Sequence, residues 1–287
     1  MRIVLLMKRT KRAILVAVGF SLVLALSLGC RNNSTSLSVK TRLDSTSSAE
    51  AFSGVERRSE WKSVGLPHRQ KGDAGQILVR KGYVASYNKE WKIPNWVAWH
   101  LTREHVTGDV RRPGSAFHED LDVARPRATL NDYKSTVWSR GHMCPAGDNK
   151  WSKDAMYESF LLTNVCPQDR GLNNGVWNQI ELSCRKWAER YGDIYIVCGP
   201  IVYRGEHEYI GANKVLVPEA FFKVVLCPGK QAKGIGFVVK NTNVKGKKDM
   251  WVNSISQVER ITGLTFFPSL NKTQSKKVKS GADLAEW

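Results

Sequence analysis

Residues 139–148 read Ser-Arg-Gly-His-Met-Cys-Pro-Ala-Gly-Asp, which sets Arg140 and His142 two positions apart in a stretch broken by Pro145 and Gly147. A neutral imidazole can take a proton near pH 7, and a guanidinium offers a planar fork that fits phosphate or carboxylate. The stretch reads as a loop, because it is poor in helix and strand formers. Cys144 lies two residues from His142 and raises the possibility of a thiol nucleophile. Two such side chains on an extended segment share a face without being placed for in-line attack, and a catalytic Cys and His usually come from separate segments. A lone loop histidine is most often bonded to backbone, so the chemistry depends on what other segments bring to it.

The clearest helix in the chain is residues 172–192, LNNGVWNQIELSCRKWAERYG, in which Trp177, Ile180, Cys184, Trp187, Ala188 and Tyr191 recur at helical spacing and Gly192 is a natural stop. Asn173, Trp177 and Glu181 fall at i, i+4 and i+8, which at about 100° per residue keeps them within roughly 80° of one line. One helix edge would then present an amide, an indole and a carboxylate. Taken singly, Glu181 reads as half of a surface ion pair with Arg185, worth about 0.2–0.5 kcal/mol, and Asn173 as a helix N-cap.

The elements that must position these residues follow from periodicity. YVASYN, NWVAWHLT, DIYIVCGPIVY, AFFKVVLCP and GIGFVVKN alternate or run apolar as strands do. SKDAMYESFLLTNVCPQ starts as a short helix and passes into the apolar run Phe160 to Val165, which Pro167 stops, and SISQVERITGL reads as a final helix. Strands dominate, with helices outside them. The fold class is α+β, a central antiparallel or mixed sheet flanked by helices.

Lysine and arginine exceed aspartate and glutamate by 44 − 26 = +18 over 287 residues, a surplus that attracts polyanions. Five of those cations lie in the first 30 residues, which hold no acid, so without them the chain carries 39 − 26 = +13. With hydrophobic residues at 42% and ten tryptophans, this is not a disordered chain. MRIVLLMKRTKR precedes an uncharged run from Ala13 to Gly29 that ends at Cys30; residues 1–30 read as an export signal. Its ending, LSLGC, resembles a bacterial lipoprotein signal, apart from Ser27 and Leu28. The expected address is therefore periplasmic or cell-surface, with lipid on Cys30 holding the chain to a membrane, and simple secretion as the second choice. Residues 31–60 read as a flexible tether, since 12 of the 24 residues from 31 to 54 are Ser, Thr or Asn. Residues 61–270 form the folded domain and 271–287 a basic tail carrying Lys272, Lys276, Lys277 and Lys279. Cys144, Cys166, Cys184, Cys198 and Cys227 contain no C-x-x-C pair and suit no structural zinc site; their pairing stays open.

SRGHMCPAGD, FLLTNVCPQ and LNNGVWNQIE together, in that order, resemble the three signature blocks of the DNA/RNA non-specific endonucleases of the ββα-metal class. Ordered blocks are far more specific than one short motif. The likeness spans Tyr83 to Tyr203 and continues weakly to Leu270; its departure is Ser139, where most members have aspartate. It implies a Mg²⁺-dependent endonuclease that hydrolyses phosphodiester bonds of DNA, RNA or both, with Mn²⁺ as a substitute. By the same likeness His142 is the general base, Arg140 clamps phosphate, Asn173 holds the metal and Glu181 acts on it through water. Asn164 has a supporting catalytic role, Gln168 and Arg185 bind substrate, and the homodimers common in such proteins extend to this chain, though no stretch identifies an interface. The competing reading is an exported binder of nucleic acid or other polyanions that cuts nothing.

Overall fold

The strand AFFKVVLC, Ala220–Cys227, is buried from end to end, which requires cover on both faces of its sheet. The computed structural model describes residues 60–69, 75–114 and 116–287. The expected signal segment and nearly all of the tether lie outside them. In chain order the strands are β1 (His68–Arg69), β2 (Gln76–Val79), β3 (Val84–Asn88), β4 (Ile93–Thr102), β5 (Ser139–His142), β6 (Val165–Gln168), β7 (Asp193–Ile201), β8 (Tyr209–Ile210), β9 (Val215–Leu216), β10 (Ala220–Cys227), β11 (Lys233–Lys240), β12 (Val252–Asn253) and β13 (Leu264–Thr265). The helices used below are α1 (Arg103–Thr107), α2 (Lys153–Ser159), α3 (Asn178–Tyr191), α4 (Ile255–Thr262) and α5 (Lys272–Ser280).

Seven strands form one antiparallel sheet in the order β12-β11-β10-β7-β4-β3-β2. The two-residue repeat of a strand sends Phe221 and Val225 to one face and Phe222, Val224 and Leu226 to the other. On the first face α3 lays down Ile180, Cys184, Trp187 and Ala188. On the second, α4 and α5 contribute Ile255, Val258 and Val278. The result is an antiparallel α+β fold with a helical layer on each side, as the periodicity led us to expect. Gly192 ends α3 at φ 95°, and Gly263 ends α4 in the left-handed region at φ 69°, positions where a side chain is strained.

Three features depart from the sequence reading. SRGH is a strand: β5 pairs with β6 in a two-stranded antiparallel ribbon, Ser139 opposite Gln168 and His142 opposite Val165. Poor strand propensity is overridden here by packing, because Gly141 leaves room for Gln168, whose Oε1 would lie 2.2 Å from a β-carbon on residue 141. The helix edge proposed for Asn173, Trp177 and Glu181 is interrupted. Asn173–Trp177 is a wide π turn in which Gly175 takes φ −100°, ψ −112°, so angular spacing does not carry across it. Trp177 turns fully inward against Phe221. Finally, residues 271–287, read from their lysines as a basic tail, include α5, capped by Asn271 and Gln274. Lys279 reaches Glu259 at 2.7 Å, and the Trp287 ring packs 4.6 Å from that of Trp187. A single buried valine and a terminal tryptophan are enough to dock this segment, a signal that its lysine content masks. Among the described residues, Cys144, Cys166, Cys184, Cys198 and Cys227 are buried thiols without disulfide partners.

Because the ribbon closes over Gly141, replacement by alanine forces Gln168 and its backbone to shift. We expect Gly141→Ala to cost about 1–3 kcal/mol by overpacking, read as a lowered urea midpoint at unchanged slope; an unshifted midpoint would show that the ribbon is looser than described.

Candidate active site

Arg140 and His142 are two residues apart on β5 and therefore share one face of the ribbon. That face opens on a cleft of about 490 Å³, whose walls include Arg112, Phe117, Lys134, Arg140, His142, Arg170 and Asn173. Four of its lining residues are permanent cations and none is a carboxylate, so the cleft suits a polyanion.

The His142 ring lies between two phenyl rings, 4.9 Å from Phe117 and 5.0 Å edge-on from Phe160. Its Nε2 is buried and has no hydrogen-bond partner among the described residues. Burial, reinforced by the positive charges of Arg112 and Arg140, pushes its pKa down from the ordinary 6.5 to about 3. The imidazole is accordingly neutral at pH 7, which is the form able to accept a proton. Arg140 stacks its guanidinium 4.6 Å above Phe117, and Arg112 sits 4.9 Å from the centre of Phe160. The aromatic pair thus holds the base and both arginines in one arrangement.

Asn173 reaches the same cleft from the other side. Asp169 caps the turn Arg170–Leu172 through Leu172 N–H at 2.9 Å, and the Asp169 N–H donates to Asn241 Oδ1 at 2.8 Å. The Asn173 amide donates from Nδ2 to Ser139 Oγ at 3.4 Å, while that hydroxyl donates to the Gln168 carbonyl at 2.7 Å. Ser139 therefore ties the ribbon to the helical turn. Asn173 Oδ1 accepts no hydrogen bond from any described residue. It is a neutral oxygen of the kind that Mg²⁺ or Mn²⁺ favours. No cluster of three or more His, Cys, Asp or Glu suited to a metal occurs among the described residues. The donor set fits a divalent ion that keeps most of its water, and does not fit a fully protein-ligated one.

The other expected residues are not part of the cleft wall. Glu181 does not line the cleft. Burial raises its pKa to about 6 against the opposing attraction of Lys223 and Arg185. Arg185, expected on the substrate, instead binds Asp148 at 2.9 Å. Gln168, also expected on the substrate, is fully buried under Gly141; the ribbon pairing that places it there removes it from the cleft. Asn164 is fully buried as well, accepting from Cys144 N–H at 2.9 Å and donating to the carbonyls of Cys144 and Ser159, each at 2.8 Å. Its position suits a clamp on the chain just beyond His142 and gives it no access to a reacting atom.

Sequence reasoning passed over Arg112, Phe117, Phe160, Arg170 and Lys223. Arg111-Arg112 stands directly before Pro113-Gly114, the same pairing of cation and turn that singled out Arg140. Lys223 was visible as one charge inside an apolar strand; it is fully buried, its Nζ 4.8 Å from the Trp177 ring and 5.3 Å from that of Trp99.

The chain resembles known proteins over most of its folded part. Mitochondrial nuclease EXOG of Danio rerio is 36% identical over 208 residues, 67% of this chain and 61% of its own length. Nuclease C1 of Cunninghamella echinulata var. echinulata is 36% identical over 70% of this chain and 86% of its own length. Mitochondrial endonuclease G of Bos taurus is 33% identical over 74% of each. This chain therefore spans about three fifths of the EXOG proteins it matches. A crystal structure of the EndoG/EndoGI complex, described as the mechanism of EndoG inhibition, superimposes with a TM-score of 0.72 at 27% identity, covering 79% of this chain and 97% of that one. These names correct the expected address: EXOG and endonuclease G are mitochondrial, not exported or lipid-anchored proteins. A basic, acid-free leader also suits an organelle transit segment, so its charge could not separate the two. The profile of the DNA/RNA non-specific endonucleases matches residues 65–273, more than half of the chain, and the chain belongs to that family.

Proposed function

We propose that the protein is a Mg²⁺-dependent, sugar-non-specific endonuclease that hydrolyses phosphodiester bonds of DNA, RNA or both, with Mn²⁺ able to replace Mg²⁺. The observation that carries this reading is the sharing of one carboxylate-free cationic cleft by His142 and Asn173. Nucleases of this family depend on a divalent metal, and the unpartnered Asn173 oxygen suits such an ion.

The neutral imidazole of His142 takes the proton of the attacking water. Positioned general-base action of this kind is worth about 10²- to 10⁴-fold in rate. Arg140 and Arg112, held on the aromatic pair, bind non-bridging oxygens of the scissile phosphate or its neighbour through charge-assisted hydrogen bonds. Lys134 and Arg170 extend the positive surface along the backbone. Asn173 would hold the divalent ion through Oδ1, and Glu181 would accept hydrogen bonds from water bound to it. When bound, the ion supplies positive charge to the phosphate and to the departing oxygen. Asn164 and Ser139 keep the base and the amide in register. Contacts to phosphate carry no direct sequence information, which accounts for broad substrate range and predicts strong salt dependence.

The purified chain should nick supercoiled plasmid with Mg²⁺ or Mn²⁺ and stop in EDTA. His142→Ala should lower the cleavage rate by about 10²-fold or more while retaining plasmid in a gel-shift assay; wild-type cutting by that variant, or cutting without metal, would reject the mechanism. A variant that neither cuts nor retains DNA would contradict the separation of base from binding.

His142 also leaves a signature in stability. Its folded pKa is depressed to about 3 from 6.5, so between those values the unfolded chain binds the proton and the folded one does not. Stability from this group is present above pH 6.5 and is lost as pH falls toward 3. Urea unfolding of wild type and His142→Asn across that range should show a steeper acid-side decline for wild type; parallel curves would place the ring in a more polar setting.

A further inference from the structure

Glu181 and Arg185 stand one turn apart on α3, where opposite charges ordinarily pair. They do not pair here. No lysine, arginine or histidine nitrogen of the described residues lies within ion-pair distance of the Glu181 carboxylate, whereas Arg185 Nη1 is 2.9 Å from Asp148 Oδ1. Asp148 is almost completely buried, at 2% exposure, and its second oxygen accepts from Trp99 Nε1 at 3.0 Å. Both oxygens of this carboxylate are therefore used, one to anchor it and one to hold Arg185. The guanidinium lies directly against Gly147: a β-carbon there would meet Nη1 at 2.9 Å. Glycine at 147 lets the loop that carries Asp148 come this close.

The second cation near Glu181 is restrained as well. Lys223 lies between the rings of Trp99 and Trp177, at 5.3 and 4.8 Å. Trp99 thus serves both restraints, donating its N–H to Asp148 and lending its face to Lys223. Lys223 and Arg185 both act on Glu181, yet neither closes on it.

We propose that Asp148 is a positioning residue that draws the Arg185 guanidinium away from Glu181, so that the carboxylate stays open to water on the divalent ion. The inference rests on the metal assignment made above. A carboxylate engaged by a guanidinium presents fewer free lone pairs and less net charge to a hydrated cation. In Asp148→Asn the amide keeps one accepting oxygen but loses the charge that opposes Arg185, and the carboxylate of α3 whose charge Arg185 already feels is Glu181.

Mn²⁺ titration of the full chain, with free Mn²⁺ followed by electron paramagnetic resonance, separates this role from a structural one. Wild type should bind the ion, Asp148→Asn should weaken it about tenfold, and Asp148→Asn/Arg185→Gln should return to within about twofold of wild type, because the intruding cation is gone. Damage to packing alone would leave the double variant as weak as the single one, or weaker, and that result overturns the proposal. Unchanged binding by Asp148→Asn, with wild type binding normally, overturns it too while leaving the metal assignment standing. Absence of Mn²⁺ binding by wild type overturns both.

Discussion

An imidazole that must remain uncharged among arginines is the constraint on which the site depends. In water such a ring would be part-protonated near neutrality; here Phe117 and Phe160 remove water from it, and Arg112 and Arg140 oppose its protonation. The same rings seat the two guanidiniums, so the cations that select an anion also keep the base in its working form. Everything around this group serves to hold its geometry. The ribbon β5–β6 sets Arg140 and His142 on one face, Asn164 fastens the chain that follows, and Ser139 links the ribbon to Asn173.

Among the described residues, the cations of the cleft wall stand without counter-ions, which supports this arrangement. Some cations away from the cleft are bound to carboxylates: Arg80 to Asp120 and Asp122, Arg127 to Glu119, Arg185 to Asp148 and Lys279 to Glu259. Arg112, Lys134, Arg140 and Arg170 all line the cleft, and none has a carboxylate within ion-pair distance among the described residues. A cation left without a counter-ion inside a concave wall raises the local potential and draws in phosphate. The net charge of +18 acts at long range, and these four cations add to it where the phosphate would sit.

Periodicity made the sheet and the main helix legible, since β10 and α3 announce themselves by runs and spacings that burial enforces. The signature blocks led to the cleft, because His142, Arg140 and Asn173 all belong to them. What remained hidden depended on close packing at single residues. Nothing in SRGH marks a strand until Gly141 is seen beneath Gln168, and a regular helix cannot be continued through Asn173–Trp177 once Gly175 leaves helical angles. Gln168 and Asn164 were polar in the right blocks yet fully buried: one closes the ribbon and the other ties down the backbone. The leader's address was misread because acid-free basic composition is shared by export and organelle signals.

The central claim is that the imidazole of residue 142 and a divalent ion on the amide of residue 173 serve the same phosphate. The most direct measurement is paramagnetic relaxation of ¹⁵N-labelled histidine during Mn²⁺ titration. The account predicts that the His142 ring signals broaden first and most among the six histidines, and that Asn173→Ala removes the effect. Sharp His142 signals at Mn²⁺ saturation would contradict it, because the ion would then lie too far from the base for both to act on one phosphorus atom.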